Sequence, residues 1–190
     1  MAYFLDIVGS MVIGSVVVLI LLVLNLNIIS SSSENLNTNI AQRDLTTAVW
    51  VMEYDLYKIG YRTTGSKIAT ADSNEIKFYT DLDNDGNQDS IHYYLGNVSE
   101  YSSTSNPLDR PLYRKENNES ISTAFPVVNF NLTYHDSIGN RINYSSLTSQ
   151  SGRDIVKTIT VKLAIESGEP IEGNYQISEW AKKITPKNLR

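Results

Sequence analysis

The sequence predicts an α+β fold: a long N-terminal helix, half membrane-spanning and half amphipathic, packed on an antiparallel β-sheet head. Three patterns predict it. Residues 7–33 carry no charge, and Ile7–Leu24 is almost wholly apolar. Residues 36–59 repeat apolar side chains mostly at three- and four-residue steps, the spacing of one helix face. Beyond them, short runs alternate apolar and polar residues in twos, the spacing of a strand with one covered face.

The apolar segment, with Tyr3, Phe4 and Leu5 ahead of it, reaches the ~20 residues that a helix needs to cross a ~30 Å hydrocarbon core. A cleaved secretory signal would need a basic start and a small-residue cleavage site. No Lys or Arg precedes Arg43, and Ser30–Ser33 lacks that site. The same lack of basic flanks leaves the orientation undecided. No proline falls between Ser10 and Gly60, so the helix is expected to continue through the polar patch Ser30–Asn39. Its second half carries the stripe Leu36, Ile40, Leu45, Ala48, Met52, Leu56 and Ile59, with Arg43, Asp44, Thr47, Glu53 and Lys58 opposite. Gly60 supplies the stop. One helix from near residue 3 to residue 59 would be about 85 Å long. Residues 1–29 form its membrane or core half, 30–60 its amphipathic half, and 61–190 the β-rich head.

In the head, Glu75–Thr80 and Ser90–Leu95 read as strands flanking a turn that contains Asp85 and Gly86. Val127–Tyr134 reads as one alternating strand, with Val128, Phe130, Leu132 and Tyr134 on one side. Asp136–Asn140 reads as a turn, and Ile155–Ile165 as another alternating strand. Ser102–Asn106 and Lys115–Thr123 read as loops. Lys182, Lys183, Lys187 and Arg190 read as a solvated strand edge that discourages further pairing.

Composition narrows the function. The net charge of −5 argues against nucleic acid as a partner, since phosphate binding needs a basic patch. With no cysteine, thiolate metal sites, thiol nucleophiles and disulfides are excluded. The two histidines, His92 and His135, read as solvent-facing strand residues. No nucleophile, acid or base constellation is visible, so no enzymatic activity is expected.

One local motif carries chemistry. Asp81, Asp83, Asp85, Gly86, Asn87 and Asp89 occupy positions 1, 3, 5, 6, 7 and 9 of an EF-hand-type calcium loop. Alternate acids converge oxygen atoms on one hard cation, and glycine permits the tight turn. Position 12 is His92 rather than a bidentate glutamate, so another acid such as Asp72 or Glu75 would have to complete the shell. The same residues also make an ordinary solvated hairpin turn, because Asp, Asn and Gly favour turns by themselves. Any calcium here is expected to be structural.

Four blocks in order add a resemblance. Glu53–Arg62 (EYDLYKIGYR) runs from an acidic-Asp-Leu segment into Gly-Tyr. Asn74–Leu95 places a strand, an acidic turn and a Tyr-Tyr strand in succession. Val127–Gly139 (VVNFNLTYHDSIG) carries Phe-x-x-x-Tyr followed by Asp and Gly, and Ile184–Leu189 (ITPKNL) is a Pro-x-Asn-Leu ending. Together they resemble the type IV pilin-like superfamily, in particular the larger minor pilins of type IV pili and the minor pseudopilins of type II secretion. The resemblance implies a structural subunit that polymerises through its apolar helix. Its partners would be copies of itself and other pilin-like subunits, with the cytoplasmic membrane holding the helix before assembly. The head would lie outside the cytoplasm, in a cell-surface filament or a periplasmic pseudopilus.

In that family a glutamate stands at mature position five and pairs with a neighbour's N-terminal amine. With Met1 removed, Ala2 becomes the first residue and Asp6 the fifth. Asp6 then stands where the family has Glu, although an acid near a helix N-terminus is favourable in any case. Gly9, Ser10, Gly14 and Ser15 would let neighbouring helix backbones approach closely. The alternative is a single-pass anchored β domain that binds a surface or partner without polymerising.

Overall fold

The computed structural model describes residues 2–117, 123–171 and 173–189. One unbroken helix, α1 (Ala2–Tyr57), leads into two antiparallel sheets. The first sheet has five strands in chain order: β1 (Ile68–Ala71), β2 (Glu75–Thr80), β3 (Asp89–Leu95), β4 (Arg110–Glu116) and β5 (Thr123–Val127). The second has three: β6 (Asn129–His135), β7 (Thr158–Glu166) and β8 (Ile177–Ile184), with a short helix α2 (Gln150–Asp154) before β7. The α+β class and the helix packed on antiparallel strands are as the sequence predicts.

The head covers less of the helix than the apolar stripe suggests. Ala41, Ala48, Met52, Leu56 and Ile59 are buried, whereas Leu36 and Ile40 remain 59% and 43% exposed. The reason is rotational. Each residue turns the helix about 100°, so the five-residue step from Ile40 to Leu45 swings the side chain by about 140°. Stepping back from Ala41 at the helical period lands near Thr38 and Glu34, which are half-covered. Excluding water from Met52, Leu56 and Ile59 stabilises the docked state by roughly 1.5–3 kcal/mol each.

The run Val127–Tyr134 is not one strand. Val127 ends β5 and Asn129 opens β6, so the chain passes from the first sheet to the second at Val128, whose amide bonds Ala164 O at 2.9 Å. Val127 is buried on one side of this corner, and Phe130, Leu132 and Tyr134 on the other. Two sheets therefore share one continuous core where the pattern suggested one sheet. Two further strand limits differ from expectation. Ile155–Lys157 precede β7, and Ile155 is exposed as the C-cap of α2. Lys115 and Glu116 belong to β4 and Thr123 to β5, while 118–122 lie outside the described residues. Ser102–Asn106 is a loop and Asp136–Asn140 a turn, as expected. Lys182 and Lys183 lie exposed on the edge strand β8; Arg190 lies outside the described residues.

Two prolines face each other where β4 pairs with β5, Pro111 opposite Pro126. Pro111 has no N–H to give Gly96 across the other edge of β4. Arg110 Nε donates to Gly96 O instead, at 2.9 Å, while Gly96 N donates to Pro111 O at 2.8 Å.

A buried ionic contact pins α1 to the five-stranded sheet. Asp55 lies on the inner helix face, 1% exposed. Its carboxylate accepts from Tyr93 Oη at 2.6 Å, and from Arg114 Nε at 2.7 Å and Nη2 at 3.3 Å. Burial and the Asp55 charge push the Tyr93 pKa well above the usual tyrosine value. Burial is the largest single influence on Arg114 and opposes its charge, but the hydrogen bonds and charge of Asp55, with Tyr93 and Glu116, together outweigh it and raise the pKa. Removing one partner strands the rest in low dielectric. Asp55→Ala is therefore expected to cost about 3–5 kcal/mol and Tyr93→Phe about 1–2 kcal/mol, measured as urea unfolding of the full chain in detergent by near-UV circular dichroism.

Candidate assembly helix and acidic loop

The first candidate site is the uncovered part of α1. Every residue from Tyr3 to Ser33 is exposed, and this stretch includes the apolar segment long enough to cross a membrane. Two of its polar side chains bond back to the helix itself. Ser10 Oγ donates to Ile7 O at 2.9 Å and Ser15 Oγ to Val12 O at 2.8 Å, so neither hydroxyl is left without a partner in an apolar medium. Gly9 and Gly14 have open space where a side chain would start, so the helix surface is recessed there. Asp6 is exposed one turn after the helix begins and forms no ion pair among the described residues. Ala2 opens the helix, and Met1 lies outside the described residues.

The second is the turn between β2 and β3. Carboxylate oxygens of Asp81, Asp83 and Asp89 all lie within 4.8 Å of one another. Asp81 is fully buried, Asp83 exposed and Asp89 between. Asp81 Oδ2 accepts from Gly86 N at 3.3 Å and from Arg62 Nη1 at 3.4 Å, which directs the carboxylate into the loop. Its other oxygen, Oδ1, is buried without a hydrogen-bond partner. Asp83 Oδ1 accepts from Asp85 N at 3.1 Å. Asp89 accepts from Leu82 N at 2.8 Å and Asn117 Nδ2 at 2.8 Å.

Asp85 and Asn87 are bonded to each other instead. Asn87 N and Nδ2 each donate to the Asp85 carboxylate at 2.7 Å, and these bonds hold its pKa below the usual value. Gly86 sits at φ 88 and Asn84 at φ 67, backbone that glycine adopts freely and asparagine tolerates. Asp72 and Glu75 do not complete the group. Glu75 pairs with Tyr94 at the far end of the hairpin, and its Oε1 lies 2.8 Å from His92 Nε2.

The loop is fastened to the end of the helix. Gly60 N donates to Tyr79 O at 2.8 Å, Asp81 N to Tyr61 O at 2.9 Å, and Lys58 Nζ to Leu82 O at 2.7 Å. Gly60, at φ 73, makes the turn that brings residues 60–62 alongside 79–82.

Sequence reasoning passed over Asp55 and Asp109. Asp55 had one visible signal, an acid inside the apolar period of an amphipathic helix. Asp109 lay in a segment with no periodicity. It is 1% exposed, accepts from Thr104 Oγ1, and has Oδ1 unpartnered; burial raises its pKa. Both histidines are part-covered rather than solvent-facing: His92 packs between Glu75 and Tyr94, and His135 has a buried Nδ1.

No family model, curated protein or solved structure matches this chain.

Burial, then the charges of Lys183 and Arg141, hold the His135 pKa below the ordinary histidine value. The unfolded chain therefore takes up this proton more readily than the folded one. Stability from this residue is present above the ordinary value and is lost as the pH falls through it. The drop in unfolding midpoint between about pH 7 and about pH 5 is expected to be smaller in His135→Gln than in the wild type, read by thermal melts at each pH.

Proposed function

We propose that this chain is a non-enzymatic structural subunit of a type IV pilus-like filament or a related secretion pseudopilus, polymerising through the apolar half of α1. The observation that carries the reading is the division of one unbroken helix. Its last five turns are built into the head, and residues 3–33 are exposed along their whole length. Residues 30–33 add about 6 Å of uncovered polar helix before Glu34, Asn37 and Thr38, where the head begins to cover it. A plain anchor has no need of a rigid helical spacer, whereas subunits stacking their helices side by side need the heads held at a fixed distance from the core.

The apolar half waits in the cytoplasmic membrane with the head outside the cytoplasm. An unpaired carboxylate at that depth is costly. Asp6 is relieved when a neighbouring subunit brings its N-terminal amine, starting at Ala2, against it, which sets the axial register. Close approach is eased at Gly9 and Gly14, where the helix surface is recessed. The ordered resemblance of Glu53–Arg62, Asn74–Leu95, Val127–Gly139 and Ile184–Leu189 to minor pilins and minor pseudopilins supports the same reading.

The test is mass spectrometry of filaments sheared from the native cell surface, with parallel quantitation of the membrane fraction. Asp6→Ala is expected to cut incorporation about tenfold or more, equivalent to losing about 1.4 kcal/mol of pairing, with membrane insertion unchanged. A chain that stays in the membrane fraction is a pseudopilus subunit if chemical cross-linking gives a ladder of the chain that Asp6→Ala abolishes, and an anchored β domain if no such ladder forms.

A further inference from the structure

We infer that the β2–β3 turn binds one calcium ion through Asp81, Asp83 and Asp89, and that the ion locks the head to the end of α1. The inference holds whether or not the chain polymerises.

The separation of the carboxylates fits one ion of this size. Oxygen atoms bound to a calcium at 2.3–2.6 Å can lie no more than about 5 Å apart. The three carboxylates here meet that limit, within 4.8 Å. Proximity of acids is common on surfaces and would carry nothing alone. The second observation is Asp81 Oδ1. A carboxylate oxygen removed from water with no donor is costly, and Asp81 is fully buried with this oxygen unpartnered. Nearby donors are committed elsewhere: Gly86 N and Arg62 Nη1 lie on Oδ2, and Lys58 Nζ on Leu82 O. A cation between Asp81 and the two more exposed acids satisfies that oxygen.

Charge agrees. Asp81, Asp83, Asp85 and Asp89 bring four negative charges, against which Lys58 and Arg62 bring two positive. The remainder matches a divalent cation. Calcium is favoured over magnesium because the group is irregular and mixes buried with exposed ligands, whereas magnesium demands a near-ideal octahedron and gives up water reluctantly. Three side-chain carboxylates with water in the remaining positions make a weak site, in the range of about 10⁻⁴–10⁻³ M that extracellular calcium modules show.

The locking follows from where Asp81 sits. Its amide bonds Tyr61 O, and its carboxylate holds Arg62, both just past the helix end. Fixing the Asp81 carboxylate from the loop side therefore fixes the strand-like pairing of 60–62 with 79–82. That pairing is the hinge between the rod and the five-stranded sheet.

The test uses the full chain in detergent, stripped with EDTA and titrated with calcium chloride by isothermal calorimetry, with magnesium chloride as the comparison. One saturable site for calcium is expected, with a rise in unfolding midpoint that EDTA reverses. Asp83→Asn is the variant of choice. Asp83 is exposed, and an asparagine Oδ1 keeps the bond from Asp85 N. Its affinity is expected to fall at least about tenfold, with the midpoint in EDTA unchanged. Hydrogen exchange at the Gly60 and Asp81 amides is expected to slow at saturating calcium. Absence of saturable binding to the wild-type chain up to about 10 mM, well above that range, overturns the site without reference to any variant. Equal binding by Asp83→Asn overturns the assignment of ligands, and binding that leaves both amides unchanged overturns the lock.

Discussion

Ala48, Met52 and Leu56 form one water-free face of α1, which Ile59 extends just past the helix end, and both sheets close on it. Neither sheet could bury its own inner surface. The five-stranded sheet presents Phe78, Ile91 and Tyr93, and the three-stranded sheet presents Phe130, Leu132, Val161 and Leu163. An apolar face left in water contributes no burial to stability until another element covers it. The helix supplies the missing wall for each, so the core exists only where α1, the first sheet and the second meet. Asp55 lies within this wall. An acid there costs desolvation, which donors from Tyr93 and Arg114 offset, and because those donors come from fixed strands they also fix the rotation of the helix.

The same helix carries two kinds of surface. From Ala41 onward it is amphipathic and its inner face is covered. From Ile7 to Leu24 it is almost wholly apolar, and Ser10 and Ser15 turn their hydroxyls back on their own backbone. Between the two, Ser30–Asn39 is polar except for Leu36, with Glu34, Asn37 and Thr38 half-covered by the head and the rest exposed. This stretch stays helical by continuity with the packed turns on one side and the apolar turns on the other.

Much of this was legible because the patterns are strong where burial is one-sided. The apolar run, the Gly60 stop, Glu75–Thr80 and the alternation of Ile159–Ile165 each announce an element whose one face must be dry. The elements that escaped notice lack that contrast. β4 (RPLYRKE) buries Pro111 and Leu112 in succession, and β5 carries Pro126, so both look like loops. β8 is an edge strand with exposed lysines, and β1 has four residues. The corner at Val128 was hidden because two valines side by side let a single alternating pattern run across a change of sheet. In the acidic loop the spacing puts Asp85 and Asn87 in one series with Asp81, Asp83 and Asp89, whereas the structure gathers only those three acids together. Asp85 is drawn aside by Asn87, a local side-chain bond that alternate spacing does not encode.

Chain order gives the architecture a folding consequence. Each strand pairs with its sequence neighbour throughout both sheets, so no pairing closes a segment longer than 136–157, between β6 and β7, and the entropic cost grows only slowly with that length. The contact that joins the most distant parts is the seating of residues 41–59 on β7 and β8. Glu53 and Lys182, 129 positions apart, meet across that seam at 2.8 Å. In a chain made from its N-terminus, the helix emerges first and its inner face stays wet until nearly the last strand is complete. During that interval the exposed Met52, Leu56 and Ile59 are the surface that a chaperone, or a neighbouring unfinished chain, would meet first.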